Sequence, residues 1–499
     1  MTATAKSLTG ASSTPAKWDS INWKNTKAEV LRLQIRIAKA VSEGHHGKVK
    51  SLQWLLTHSF HAKLLAVKRV VQNRGGKTPG IDGIIWRTPH QKMRAAQSLT
   101  RKGYKTQPLK RIYIPKKNGC KRPLSIPTMK CRAMQSLHLL ALDPVAEFYA
   151  DKNSYGFRPK RSAADALEAC FKALAKKGSS QWILEADIKS CFDKISHDWL
   201  REKIPMDKEI LSKWLSSGYI DNNVLYQTES GTPQGGLASP TLLVLTLSGL
   251  EKAIQKVTTR HKDKVYLSMY ADDFIITGST KEVLETKVKP IVESFLRERG
   301  LELSYEKTKI THIEEGFDFL GINIRKYKGK YISKPSKKSI HDFLTDIKKI
   351  IKSNSTAKTE NLINLINPKI RGWANYFRYS CAKRTFSYVD RQIYKALWHW
   401  ARRRHPRKGG FWIQKKYFRS QDTRNWIFSA PTSNDINRHA HTDLFNASSV
   451  AIIRHTKIRA EATPYDPCFT EYFKIREQRS TRSGLRSKLT KIEQLPNES

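Results

Sequence analysis

Acidic residues are scarce in this chain: 499 residues carry 44 aspartates and glutamates against 91 lysines and arginines, a formal charge of +47. Such an excess repels itself unless a polyanion neutralises it, which makes nucleic acid the expected partner. The excess is not a tail effect, because residues 331–499 hold 34 Lys and Arg against 13 Asp and Glu and the remainder is also strongly basic. Cysteine is sparse too. The six (Cys120, Cys131, Cys170, Cys191, Cys381, Cys468) form no CxxC pair, which excludes a zinc ribbon and a disulfide framework and fits a reducing interior. No apolar run reaches about eighteen residues, the richest stretch near Leu242–Leu247 is interrupted, and Met1–Lys17 lacks the apolar core of a secretory signal. These absences point away from membranes and export, toward a cytoplasmic place among nucleic acids. With 39% hydrophobic residues and 12 Trp, 18 Tyr and 18 Phe, the chain still has enough apolar material to fold, with room for about two to four domains.

Apolar positions Val30, Leu33, Ile37 and Val41 recur at helical spacing within Asn25–Val41. A second helix is expected over Val49–Asn73, with Leu52, Leu55, Leu56, Leu64, Leu65 and Val67 inside and Gly75-Gly76 ending it. From there to about residue 330, helical stretches (Ala133–Tyr149, Ser162–Lys177) alternate with β-rich runs at Leu109–Pro115, Trp182–Ile188, Val265–Tyr270, Phe274–Thr277 and Phe317–Ile324. That is the texture of an α+β domain. Past Lys334-Pro335 the strand patterning fades; Ile340, Leu344, Ile347 and Ile351 form a helical stripe, with further helices around Asn361–Tyr379 and Phe386–Arg404. Leu444–Ser499 begins mixed, turns charged from Arg476 to Lys491, and is expected to end as a loose tail.

The most informative stretch runs from Val265 to Thr277, where two β-like runs flank the adjacent acids Asp272 and Asp273. If the runs pair as a hairpin, the acids sit in its turn, where one can face an acid on a neighbouring strand. Trp182–Ile188 supplies such a partner in Asp187. Phosphoryl transfer calls for convergent carboxylates, because two Mg²⁺ ions about 3.5–4 Å apart stabilise the attacking and leaving oxygens. Taken alone, an Asp-Asp pair reads equally well as a simple turn.

It does not stand alone. Tyr270-Ala271-Asp272-Asp273 resembles the catalytic box of reverse transcriptases. The surrounding segments resemble the bacterial group II intron-encoded reverse transcriptase/maturase family: Thr78–Gly83, Ile114–Lys116 with Lys121–Thr128, Ser154–Pro159, Gly231–Gly236, Leu303–Lys309, Phe319–Gly321 and Gly372–Phe377. The likeness spans about Trp18 to Phe473. It implies a right-hand polymerase: a basic N-terminal extension with the first helices (1–76), fingers and palm with a ferredoxin-like palm sheet (77–333), an α-helical thumb or domain X (334–440), and a basic DNA-binding-like C-terminal segment without endonuclease (441–499). Its activity would be RNA-directed DNA synthesis with two Mg²⁺ ions, joined to a maturase role in group II intron splicing and in mobility by target-primed reverse transcription. The implied partners are the intron RNA, an RNA template, a DNA primer or target, and dNTPs; a homodimer is left open.

Position by position, the resemblance makes Asp187, Asp272 and Asp273 the catalytic metal ligands, with the Ile188 carbonyl beside them. Phe192 matches the aromatic gate that leaves no room for a 2′-OH, Lys116 and Arg122 match cations that grip the triphosphate, and Gln234 matches the residue near the incoming ribose. Lys110 and Arg158 fall where the family meets nucleic acid, and Lys307 where it closes the palm. One departure is Val244, where the family usually has Asn. The cluster Arg402, Arg403, Arg404, Arg407 and Lys408 exceeds the one or two cations that cap a helix dipole, so phosphate contact is expected there. Two other readings stay open: an RNA-binding splicing factor with a vestigial polymerase site, and a reverse transcriptase of retron or diversity-generating type.

Overall fold

The computed structural model describes residues 18–115, 119, 121–232, 235–259, 261–421, 424–431 and 441–481. The N-terminal layer is helical: α1 (Trp23–Ser42), whose Asn22 side chain accepts the Asn25 N–H as a cap, then α2 (His46–His58) and α3 (Phe60–Gln72). The single helix expected over Val49–Asn73 is broken at Ser59, whose extended ψ of 128° ends one helix and starts the next. Leu55, expected inside, is consequently exposed. A Thr88/Gln91 capping box with Pro89 opens α4 (Pro89–Gln97). The hairpin β1 (Leu109–Pro115) and β2 (Lys121–Ile126) leads into α5 (Met129–Tyr149), capped by Thr128 and buried along most of its length.

Next come α6 (Ala163–Leu174), β3 (Trp182–Asp187), the short helices α7 (Cys191–Lys194), α8 (His197–Lys203) and α9 (Lys208–Leu215), and the hairpin β4 (Tyr219–Asp221) and β5 (Val224–Tyr226). Because β4 lies parallel to β1, one sheet runs β2-β1-β4-β5. Then α10 (Ser239–Leu247) and α11 (Leu250–Val257) precede β6 (Leu267–Tyr270), β7 (Asp273–Gly278), α12 (Lys289–Arg297) and β8 (Lys309–His312). These strands build a central antiparallel sheet in the order β6-β7-β3-β8. Its period of two splits the core: Leu184, Ala186, Phe274 and Ile276 join the N-terminal helices and α5, whereas Ile183 and Ile275 join the core of the C-terminal half.

The run Phe317–Ile324, expected as one strand, folds back on itself as β9 (Phe317–Phe319) and β10 (Ile322–Tyr327), with β11 (Lys330–Pro335) alongside. Leu320 and Gly321 both take positive φ (+49° and +75°), the backbone hand that suits a two-residue hairpin turn. Four helices follow: α13 (Lys337–Ser353), α14 (Thr359–Phe377), α15 (Lys383–Arg404) and α16 (Gly410–Tyr417). The stretch to 440 is not helical throughout, since β12 (Phe418–Gln421) and β13 (Arg424–Pro431) pair there and β14 (His441–Asp443) completes their sheet. The C-terminal segment is docked as far as α17 (Thr470–Thr481), where Arg476 donates to buried Asp165 of α6 at 2.6 Å, so the charged stretch begins within a docked helix, and the expected loose end lies outside the described residues.

Candidate active site

The β6–β7 hairpin closes through Ala271-Asp272, with Tyr270 opposite Asp273 and Ala271 at φ +60°. On the other side of β7 the β3 register runs from Trp182 opposite Gly278 to Asp187 opposite Asp273. Directly opposed residues of an antiparallel pair share a face, so the end of the central sheet gathers Asp187, Asp272 and Asp273. Past Asp187 the chain pairs with residues 302–304: the Ser304 N–H donates to the Asp187 carbonyl at 2.8 Å, and Ile188, its side chain buried, bridges Leu303. That pairing brings Lys307 Nζ to 2.8 Å from Asp187 Oδ2.

Burial and mutual repulsion both act on this group. Burial, then the charges of Asp272, Asp187 and Glu185, push the Asp273 carboxyl up to about 6, against a hydrogen bond from the Leu320 N–H. Asp272 is raised by burial and by Asp187, and the positive charges of Arg122 and Lys307 oppose the rise. Among the described residues no three His, Cys, Asp or Glu side chains are drawn together as a ready-made metal cluster. The donor set nevertheless suits a hard divalent cation, being all carboxylate oxygen, mutually repelling, and already attracting an ammonium at Asp187.

Two supports of the site have no assigned role in the sequence reading. Tyr155 N–H donates to the Met269 carbonyl at 2.9 Å, which lays Gly156 against the Ala271-Asp272 turn; a Cβ there would stand 2.2 Å from the Ala271 nitrogen. The second reaches the site from the helical half. Tyr376 of α14 donates its hydroxyl to the Leu320 carbonyl at 2.8 Å, and the N–H of that same residue holds Asp273. Burial, then Tyr270 and Asp273, push the Tyr376 hydroxyl up to about 12. Both residues lie in motifs quoted from the sequence, which was the available signal.

Phe192 is half-buried, its ring edge-on to Phe157 at 6.3 Å, and its carbonyl accepts the Thr232 N–H at 2.6 Å. Gly231 and Gly235 flank this loop in positive φ. A Cβ on Gly231 would meet the Asp193 backbone at 2.6 Å, and one on Gly235 would meet the Ser125 carbonyl of β2 at 2.8 Å. The loop thus ties the Phe192 turn to the strand bearing Arg122, which is exposed opposite Ile114. Lys116 and Gln234 lie outside the described residues. Lys110 is exposed on β1, at the seam with β4. Val244 is buried within α10.

The cationic residues divide. Arg402, Arg403, Arg407 and Lys408 are exposed around the end of α15, whereas Arg404 is partly committed to the Ala357 carbonyl and the Trp400 ring. Arg158, expected to contact nucleic acid, faces inward: it is buried, donates to Glu147 at 3.1 and 2.7 Å, and donates to the Asp151 and Ser154 carbonyls. A guanidinium so fully engaged is a strut of the fold rather than a phosphate contact.

Three family models match the chain: the N-terminal domain of reverse transcriptase over residues 18–99, reverse transcriptase (RNA-dependent DNA polymerase) over 114–324, and the group II intron maturase-specific domain over 340–418. One chain thus joins a reverse transcriptase domain to a group II intron maturase-specific domain, the make-up of a group II intron reverse transcriptase/maturase. It is an RNA-directed DNA polymerase with a maturase function in intron splicing and mobility. LtrA, a group II intron-encoded protein of Lactococcus lactis subsp. cremoris, is 28% identical over 415 residues, covering 63% of this chain and 68% of LtrA. Protein YkfC of Escherichia coli (strain K12) is 28% identical over 310 residues, 53% of this chain and 81% of YkfC. A telomerase structure from Candida albicans overlays at a TM-score of 0.37 with 12% identity, covering 62% of this chain and 64% of that one, too slight a likeness to argue from. The right-hand polymerase fold follows from the reverse transcriptase match.

Proposed function

We propose that the end of the central sheet is the polymerase centre of this reverse transcriptase, with Asp187, Asp272 and Asp273 and the Ile188 carbonyl holding two Mg²⁺ ions. When bound, such ions supply Lewis-acid stabilisation of the attacking and leaving oxygens. The chain's own residues do the rest. Arg122 and Lys116 grip the triphosphate, the Phe192 ring excludes a 2′-OH, Gln234 lies near the incoming ribose, and Lys307 shields Asp187 until substrate arrives. The primer 3′-OH loses its proton as its oxygen bonds to the α-phosphorus of a dNTP, and pyrophosphate leaves; positioning and charge carry the step. The strand order β6-β7-β3-β8, with helices between β3 and β6 and between β7 and β8, supports a ferredoxin-like palm, and α13–α16 support a thumb. Exposed Arg402, Arg403, Arg407 and Lys408 would meet intron RNA and primer-template, with target-primed synthesis as the route of mobility. The observation that carries this reading is the register that sets Asp187 opposite Asp273 beside a turn containing Asp272. Extension of oligo(dT) on poly(rA) with dTTP and Mg²⁺ tests it: the purified chain should extend, and should stop when EDTA removes the metal. A chain that fails to extend on any RNA template overturns the assignment.

A further inference from the structure

Away from the carboxylates, α2, α5 and the α8–α9 connection enclose a cleft of about 730 Å³, within the range of ligand pockets. Its walls are apolar, with Met134, Leu137, Ile204 and Met206 among them. His138 on the wall is buried edge-on to Trp214, and burial holds its ring near 4, so it adds no charge at neutral pH. At the mouth stands Trp54, 59% exposed and stacked on His58 at 4.1 Å with the planes 23° apart. Around them Lys50, Lys63, Lys102, Lys203 and Lys208 also line the cleft, while its two acids, Glu202 and Asp207, pair with Lys203 and Arg101.

An exposed indole presenting an extended ring stack is not a core feature, and its lysine surround disfavours a purely apolar occupant. Apolar depth, a stacking ring and a lysine rim of Lys50, Lys63 and Lys102, with Lys203 held by Glu202 and Lys208 by the Ile204 carbonyl, together match an unpaired nucleotide, whose base is buried while its backbone stays among charges. We propose that this cleft receives a base splayed out of a loop or bulge of structured RNA, stacked against Trp54, with the lysines on the flanking phosphates. The inference rests on the chain's maturase role as an RNA binder, and deepens it by naming an unpaired base, held by a cleft that shares no lining residue with the three aspartates, as a recognition element.

Two probes separate base capture from charge: a hairpin RNA with an unpaired adenosine-rich loop, and a blunt RNA duplex of equal length. Trp54→Ala should weaken hairpin binding about 5- to 150-fold, the range for losing one base–aromatic stack, and leave duplex binding and the log–log salt slope unchanged. Trp54→Phe should restore most of the loss. Lys50→Ala should instead weaken both probes and lower the slope by about one. Circular dichroism melts of each variant guard against misfolding. Unchanged hairpin affinity in Trp54→Ala, an equal loss on both probes, or a changed salt slope overturns the proposal, as does an altered oligomeric state with RNA binding intact, which would make the cleft a protein interface. Primer extension by the wild-type chain is read separately: a chain that extends but shows no Trp54-dependent loop preference defeats the cleft assignment alone.

Discussion

Two groups of carboxylates flank the central sheet, and the chain treats them oppositely. Glu147 on α5 takes both Arg158 and Arg161; Asp165 on α6 accepts from His455 at 2.9 Å, from Arg476 at 2.6 Å and from the Ile458 N–H at 2.8 Å. Burial alone would raise Asp165, but the His455 bond and the Arg476 charge outweigh it and hold the carboxyl at about 2. Asp187, Asp272 and Asp273 instead have one another as neighbouring charges, and burial together with that repulsion pushes Asp273 up to about 6. In a chain with twice as many cations as acids, this acid cluster receives one direct ion pair, Lys307 on Asp187, and leaves the charge on Asp272 and Asp273 largely for an incoming cation to balance.

That contrast can be broken at several points. Arg158→Ala strips Glu147 of a buried partner and should cost about 3–5 kcal/mol of stability, read as a lower melting temperature, with RNA affinity per folded molecule unchanged. Lost RNA affinity at unchanged stability would return Arg158 to the nucleic-acid surface. Gly156→Ala should lower primer extension about a hundredfold, because the added methyl displaces the Ala271-Asp272 turn by a fraction of an ångström or more. Full activity there would show that the turn yields freely.

The Asp165 group predicts a pH dependence with a definite sign. Its folded pKa lies below the ordinary carboxylate value, so its stabilisation is fully present above about pH 4 and is lost as pH falls toward 2. The wild-type chain should exceed Asp165→Asn by about 2 kcal/mol at neutral pH, with the gap closing below about pH 3 and the C-terminal segment becoming protease-sensitive first. The smallest effect is expected at the end of α15, where Arg403→Ala should lower the salt slope of RNA binding by about one and the affinity only a few-fold.

The acids were legible because strand periodicity and hairpin logic act locally: Leu109–Pro115 appears as expected, and the runs around Asp187 and Asp272 pair as their patterns imply. The division of the arginines was not. Arg158 and Arg402 look alike in sequence, and only tertiary packing turns one onto Glu147 and leaves the other in solvent. Turns that depend on one residue's backbone angles escaped for a similar reason, as at Leu320 (φ +49°) and Ser59 (ψ 128°), where apolar patterning continues straight across the break. The sheet β12-β13-β14 was missed because its strands are short or irregular, β12 pairing with a break in register between Arg419 and Gln421 and β14 running only from His441 to Asp443.

At the proposed polymerase centre, the three aspartates repel one another until a divalent cation arrives. Thermal unfolding of wild type and Asp272→Asn, each in metal-free buffer and in Mg²⁺, tests this most directly. Without metal the variant should melt at or above the wild type, Mg²⁺ should raise only the wild-type midpoint, and the variant should lose primer extension by about a thousandfold. A variant that melts well below wild type without metal, gains as much from Mg²⁺ and still extends primers would contradict it.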